Sequence, residues 1–135
     1  MTFVNYLNFR GDCREAFERY LQVFGGEIDG IMTHADMPVA DIPDEWRDKV
    51  LHAQLNVNGS LLMGSDSPPN EYREPGGAWV CLLVDTPEEA DRIFAELSDG
   101  GEVEMPIEET AWAERFGMLR DRFGVPWMIN CLKPM

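Results

Sequence analysis

Side chains suited to proton transfer near neutral pH are scarce in this sequence. There are two histidines, His34 and His52, among 25 acidic and 11 basic groups. An ordinary imidazole pKa of about 6.5 suits either a base or a hydrogen-bond donor. His52 stands in Leu51-His52-Ala53-Gln54-Leu55-Asn56-Val57. This alternation predicts a strand with Leu51, Ala53, Leu55 and Val57 on one face and His52, Gln54 and Asn56 on the other. One face should pack on a helix and the other should line something wetter. Two roles are open to His52 there, a base or donor toward a ligand, or a histidine bonded to a neighbouring strand. His34 falls near the end of another predicted strand.

The three cysteines, Cys13, Cys81 and Cys131, have neither the even count of a disulfide framework nor the spacing of a zinc site. They read as reduced and mostly buried thiols. Cys13 sits at a predicted helix N-terminus, where a thiol pKa falls, but its helical spacing to Phe17 assigns it to the core. Trp112 and Arg115 precede Phe116-Gly117. The planar fork of Arg115 suits a carboxylate or phosphate, or a salt bridge to Glu108, Glu109 or Glu114. The sequence contains no Gly-x-Ser-x-Gly elbow, Gly-x-Gly-x-x-Gly fingerprint or phosphate loop.

The elements that position these residues repeat. One helix is predicted from Asp12, with Glu15 completing a capping box and Phe17, Tyr20, Leu21 and Phe24 as its apolar face. Gly25-Gly26 ends it. A second is predicted from Thr86-Pro87-Glu88-Glu89, with Thr86 as cap, Pro87 at the first position and Ala90, Ile93, Phe94 and Leu97 buried. Gly100-Gly101 ends that one. A short apolar strand precedes each helix, Tyr6-Leu7-Asn8-Phe9 and Cys81-Leu82-Leu83-Val84. Gly-Gly-Glu and an apolar residue follow each. Gly59-Ser60-Leu61-Leu62-Met63 similarly matches Gly124-Val125-Pro126-Trp127-Met128. The remaining strands are expected near residues 26–35, 50–58 and 60–66, then 102–110, 112–121 and 125–132. The first half is the longer, which places an insertion within residues 36–49, a Pro-rich charged stretch with one helical turn around residues 44–47. Residues 65–77, with adjacent prolines and glycines, read as a connector between halves.

With 135 residues and a 44% hydrophobic fraction, the chain suits one domain with a real core. The net charge of −14 repels nucleic-acid backbones and anionic lipid, so neither is an expected partner. No apolar run reaches the length of about 18 residues needed to span a membrane. The N-terminus has no basic region followed by an apolar stretch, so a cytoplasmic location is expected.

Several quoted segments together resemble a known family. They are Tyr6-Leu7-Asn8-Phe9, Cys13-Arg14-Glu15-Ala16-Phe17 with Tyr20, Phe24-Gly25-Gly26, His52-Ala53, Leu61-Leu62-Met63 with Ser65-Asp66, and Phe116-Gly117 followed by Asp121-Arg122-Phe123-Gly124-Val125-Pro126-Trp127. Over nearly its whole length the chain resembles the glyoxalase, bleomycin-resistance and extradiol-dioxygenase (vicinal-oxygen-chelate) superfamily, most of all its PhnB-like branch. The resemblance implies an α+β fold of two βαβββ modules forming a cupped, barrel-like mixed sheet. The first module would span residues 1–66, the connector 67–76 and the second module 77–135. It also implies a homodimer, for which open strand edges give a physical reason.

Metal-dependent relatives hold one divalent ion through His, Glu or Gln on the first and last strands of each half. Carried over, these positions fall on Val4 (or Asn5), Met63, Trp79 and Met128. None of these four offers oxygen or imidazole to a hard or borderline cation, so no metal and no cofactor are expected. If Val4 and Trp79 face the cup, then Tyr6, Asn8 and Cys81 do too, as do Met63 with Ser65 and Met128 with Asn130. The expected ligand-binding residues are therefore Tyr6, Asn8, His52, Gln54, Met63, Trp79, Trp112, Arg115, Met128 and Asn130, with no catalytic residue assigned. The leading expectation is a metal-free protein that holds a small organic ligand in the cup. The alternatives are a metal-dependent lyase or isomerase of glyoxalase type, a dioxygenase, or a drug-sequestering resistance protein. The same methionines and Trp79 could also simply fill a cup that binds nothing.

Overall fold

The structure is a computed structural model that describes residues 1–36 and 43–134. The predicted insertion therefore lies partly outside the described residues; within it, Asp44–Trp46 forms a single 3-10 turn. The chain divides into two compact units, Met1–Arg73 and Glu74–Met135. Each has the same order of elements, and the α+β glyoxalase/bleomycin-resistance fold is the result.

In the first unit, β1 (Asn5–Phe9) leads to α1 (Cys13–Phe24), then β2 (Glu27–Thr33), β3 (Val50–Val57) and β4 (Ser60–Asp66). The sheet order is β1-β4-β3-β2, with β1 parallel to β4 and the other pairs antiparallel. Helix α1 buries Cys13, Ala16, Phe17, Tyr20 and Val23 against the sheet, while Leu21 and Phe24 stay half-buried. The stripe is thus rotated slightly from the predicted one. Gly64 on β4 makes the close approach possible. A Cβ there would sit 2.8 Å from the Phe17 ring and 2.9 Å from the Leu7 carbonyl, inside van der Waals contact.

The start of α1 corrects the predicted capping box. Asp12 makes no side-chain cap bond. Asp66, at the end of β4, does that work instead. Its Oδ1 accepts from the Gly11 N–H at 2.9 Å and the Cys13 N–H at 3.0 Å, and its Oδ2 accepts from the Val50 N–H at 2.9 Å. One buried carboxylate thereby ties the helix start to two strands, and charge-assisted bonds of this kind are the stronger ones.

In the second unit, β5 (Val80–Leu83) leads to α2 (Pro87–Ser98), β6 (Glu102–Glu108), β7 (Ala113–Arg120) and β8 (Pro126–Leu132). The sheet order β5-β8-β7-β6 repeats that of the first unit. Here the local cap is made as predicted, for Thr86 Oγ1 accepts from the Glu89 N–H at 3.1 Å and Pro87 opens the helix. Ala90, Ile93, Phe94 and Leu97 are buried. Gly117 on β7 plays the part of Gly64, because a Cβ there would lie 2.7 Å from the Phe94 ring. Asp121 anchors the β7–β8 turn, accepting from the Phe123 and Val125 N–H groups and from Trp127 Nε1–H at 2.9 Å. Trp127 is fully buried, so its single donor needs such a partner. Among the described residues, no helix is long and apolar enough to cross a membrane.

Candidate functional site

Each sheet packs one face on its own helix and leaves the other to the polar and sulfur-bearing side chains. In the first sheet, Phe9, Ala53, Leu55, Leu62 and Asp66 are buried, while Tyr6, Asn8, His52, Gln54, Met63 and Ser65 alternate with them. Register brings the second set together. Tyr6 lies opposite Met63, Met63 opposite Gln54, and Gln54 opposite Gly30, while Asn8 lies opposite Ser65 and Met32 opposite His52. Five expected ligand-binding residues, Tyr6, Asn8, His52, Gln54 and Met63, therefore share one face of one sheet. Asn56 on the same face is engaged locally, its Oδ1 accepting from the Gly59 N–H at 2.8 Å in the β3–β4 turn.

His52 reaches across β4 to β1, where its Nδ1 is 3.2 Å from the Tyr6 hydroxyl. The two rings stack, with centroids 5.7 Å apart. Beside them runs a groove of about 310 Å³, lined by Asp29, Gly30, Ile31, Met32, His52 and Gln54. Gln54 Nε2 donates to Asp29 Oδ2 at 3.3 Å. The groove exists because Gly30 projects nothing, and a Cβ built there would meet no atom within 4 Å. Asp29, Gly30 and Met32 escape sequence reasoning because β2 carries register shifts between Ile28 and Gly30 and between Met32 and Thr33. Such bulges break the two-residue period on which the reading rests.

In the second sheet, Cys81 lies opposite Met128, Met128 opposite Met118, Leu83 opposite Asn130, and Asn130 opposite Phe116. Met128 and Asn130 thus share a face. Trp112, exposed ahead of β7, stacks edge-on against Phe116 with centroids 5.5 Å apart. Trp79 is half-buried one residue before β5. The Asn130 Oδ1 atom is buried without a hydrogen-bond partner, as is His34 Nε2. His34 itself belongs to a 3-10 turn after β2 and meets Trp46 edge-on.

Arg115 does not join that face. Phe116 and Met118 take the open side, so alternation sends Arg115 to the helix side, opposite buried Cys131. Its Nε–H donates to Asp91 of α2 at 3.0 Å and its Nη1–H to the Glu114 carbonyl at 2.7 Å. The salt bridge open to Arg115 is formed, with Asp91 rather than one of the flanking glutamates as partner.

The donor set does not fit the family's divalent metal. Met63 and Met128 lie mid-strand on the open faces, and Val4 and Trp79 precede β1 and β5. Two thioethers with an isopropyl group and an indole offer nothing to a hard or borderline ion. Asn5 cannot stand in for Val4 at that position. It lies opposite Leu62, a residue buried against the helix. Among the described residues, no group of three or more His, Cys, Asp or Glu side chains could hold a metal.

The thiols differ in setting. Burial pushes the Cys13 thiol far above its ordinary value, with the Asp66 and Asp12 carboxylates adding to the effect. Burial, then Glu114, raises Cys131, whose thiol donates to Glu114 Oε2 with Sγ 3.7 Å away. Cys81 is exposed on the open face, and partial desolvation raises it as well.

A family model described as 3-demethylubiquinone-9 3-methyltransferase matches residues 1–130. The solved structure of protein PA1353 from Pseudomonas aeruginosa is 44% identical, with 99% of each chain covered and a TM-score of 0.88. Protein YjdN from Escherichia coli (strain K12) is 34% identical over 145 residues, covering 98% of this chain and 97% of that protein. The PhnB protein from Bacillus cereus, described as a 3-demethylubiquinone-9 3-methyltransferase, is 26% identical, with 97% of this chain and 99% of that one covered and a TM-score of 0.81. More distant solved structures, at 10% and 21% identity, share the fold alone.

Proposed function

The chain belongs to the PhnB-like 3-demethylubiquinone-9 3-methyltransferase family, within the vicinal-oxygen-chelate superfamily, and from that premise we propose that it binds a small organic ligand on the open face of its first sheet. The observation that carries this reading is the groove beside the Tyr6–His52 pair, kept open by Gly30. Its volume is at the lower end for small-molecule sites, which combine apolar lining with a few convergent polar groups. Met32 and Ile31 supply the apolar lining. His52, Gln54 and Asp29 supply donors and acceptors, with the Tyr6 hydroxyl at the margin. A carboxylate in the groove, within a chain of net charge −14, favours a neutral or cationic ligand over an anion.

The methyl transfer named in the family description is a second activity to assay on the same face. A thermal-shift screen of neutral and cationic aromatics, quinols and S-adenosylmethionine tests the reading directly. A true ligand at 100 times its Kd stabilises the chain by about 2.7 kcal/mol. The expected result is at least one hit whose shift disappears in Gly30→Met and shrinks in His52→Ala. Hits that ignore both substitutions, or a screen with no hit, would overturn it. Turnover of a methyl donor together with a quinol would replace simple binding by catalysis at the same face.

A homodimer belongs to the same reading. Its support is β6, an edge strand exposed at every position except Ile107. Such edges invite pairing. Light scattering at micromolar concentration tests this, and a monomer mass would remove the dimer from the proposal.

A further inference from the structure

The open face of the second sheet carries an unbroken row of sulfur. Met105 lies opposite Met118, Met118 opposite Met128, and Met128 opposite Cys81, so the row crosses all four strands from β6 to β5. Residues opposite one another project to the same side. That side faces away from α2, since Gly117, Leu119, Trp127 and Ile129 occupy the alternate positions and are buried, with Gly117 against Phe94.

The matching row in the first sheet is Gly30, Gln54, Met63 and Tyr6. The same four topological positions thus hold one sulfur in one unit and four in the other. The fold does not demand sulfur there, because the first unit forms the same sheet without it.

In antiparallel pairs such as β7–β8, directly opposed side chains have Cβ atoms about 4.5–5.5 Å apart. Methionine, with three rotatable bonds, can bring its thioether to a common point between neighbours. A thiol and two thioethers at successive positions of one row are a soft donor set, which selects Cu(I) over the hard and borderline divalent ions. We propose that Cys81, Met128 and Met118 form a binding site for a soft monovalent cation, Cu(I) or Ag(I), with Met105 available at the outer end of the row.

Two further observations support the site. It is reachable, since Cys81 is exposed and Met105 is 45% exposed. The strongly acidic chain also attracts cations. A cysteine ligates Cu(I) as the thiolate, so loading the cation releases a proton. This site uses no residue of the groove on the first sheet and stands or falls independently of it.

The test is anaerobic titration of the full chain with Cu(I) in competition with a coloured Cu(I) chelator, repeated with Ag(I) by calorimetry. The expected result is one equivalent held against the chelator, with proton release on binding. Cys81→Ser and the pair Met118→Leu with Met128→Leu should each lose that competition. Thermal melts should confirm that both variants fold, since Met and Leu are close in volume. Three results would overturn the site: wild-type protein that yields all its Cu(I) to the chelator, a methionine pair variant that binds as well as wild type, or equal binding of Zn²⁺. The second of these would reduce the site to a lone thiol.

Discussion

The Tyr6 hydroxyl and His52 Nδ1 lie 3.2 Å apart, on β1 and β3, with β4 running between their strands. Their stacked rings span the strand that separates them. A phenolic hydroxyl both donates and accepts, so Nδ1 can accept from the Tyr6 O–H or donate to its oxygen, and either way the contact holds the ring in place. Tyr6→Phe keeps the ring and removes only the hydroxyl. The expected outcome is a change in the ring ¹⁵N shifts of His52 as Nδ1 loses its partner. The melt should move little, within about 0.5 kcal/mol, because Tyr6 is 48% exposed and surface changes rarely cost more. Unchanged ring shifts in Tyr6→Phe would show that the pair does not hold the imidazole.

Two glycines on the first sheet should respond in opposite ways. Gly30 faces open space, whereas Gly64 meets the Phe17 ring and the Leu7 carbonyl. Gly30→Met copies the residue at the matching position of the second sheet, Met105. It should leave stability unchanged or raise it by up to about 1 kcal/mol, since glycine weakens a strand. Gly64→Ala should cost about 1–3 kcal/mol through overpacking. Urea unfolding of both variants checks the pair, and equal effects would refute the contrast.

What the sequence made legible was what is local or periodic. The second helix could be read to its cap because Thr86 and Glu89 are three residues apart and bond to each other. The first could not, because its N–H groups are satisfied by Asp66, some fifty residues further on. Alternation brought Tyr6, His52, Gln54 and Met63 to one face. It missed Asp29 and Gly30 because β2 bulges beside them. Arg115 was misdirected for a simpler reason. It was read from the region that closes the cup in relatives, whereas alternation along β7 sends it to the helix side.

Asp66 offers a sharp stability test. Its carboxylate accepts three backbone N–H groups. Removing it leaves buried donors unpaired, at about 1–3 kcal/mol for each group fully stranded. Asp66→Ala should therefore destabilise the chain by about 3 kcal/mol or more, and Asp66→Asn, which retains acceptor oxygen, by less. Asp12→Ala should cost little by comparison, because Asp12 makes no side-chain cap bond. Chemical unfolding of the three variants would show the order, and an Asp12→Ala effect as large as that of Asp66→Ala would contradict the assignment of the cap.

Alkaline stability should follow the buried thiols. Cys13 is fully buried, and its folded pKa lies well above the ordinary thiol value of 9.0. The folded state therefore keeps its proton while the unfolded state gives it up. Unfolded chains then bind fewer protons, and the unfolding free energy falls as pH rises. The loss is absent below pH 9.0 and grows above it, at no more than about 1.4 kcal/mol per pH unit for one group. Cys131, raised by burial and Glu114, should add to the slope in the same direction. Denaturant unfolding at stepped pH should show the decline, and Cys13→Ala should flatten it despite lowering stability near neutrality. A variant with the wild-type slope would mean that another group titrates on unfolding in that range.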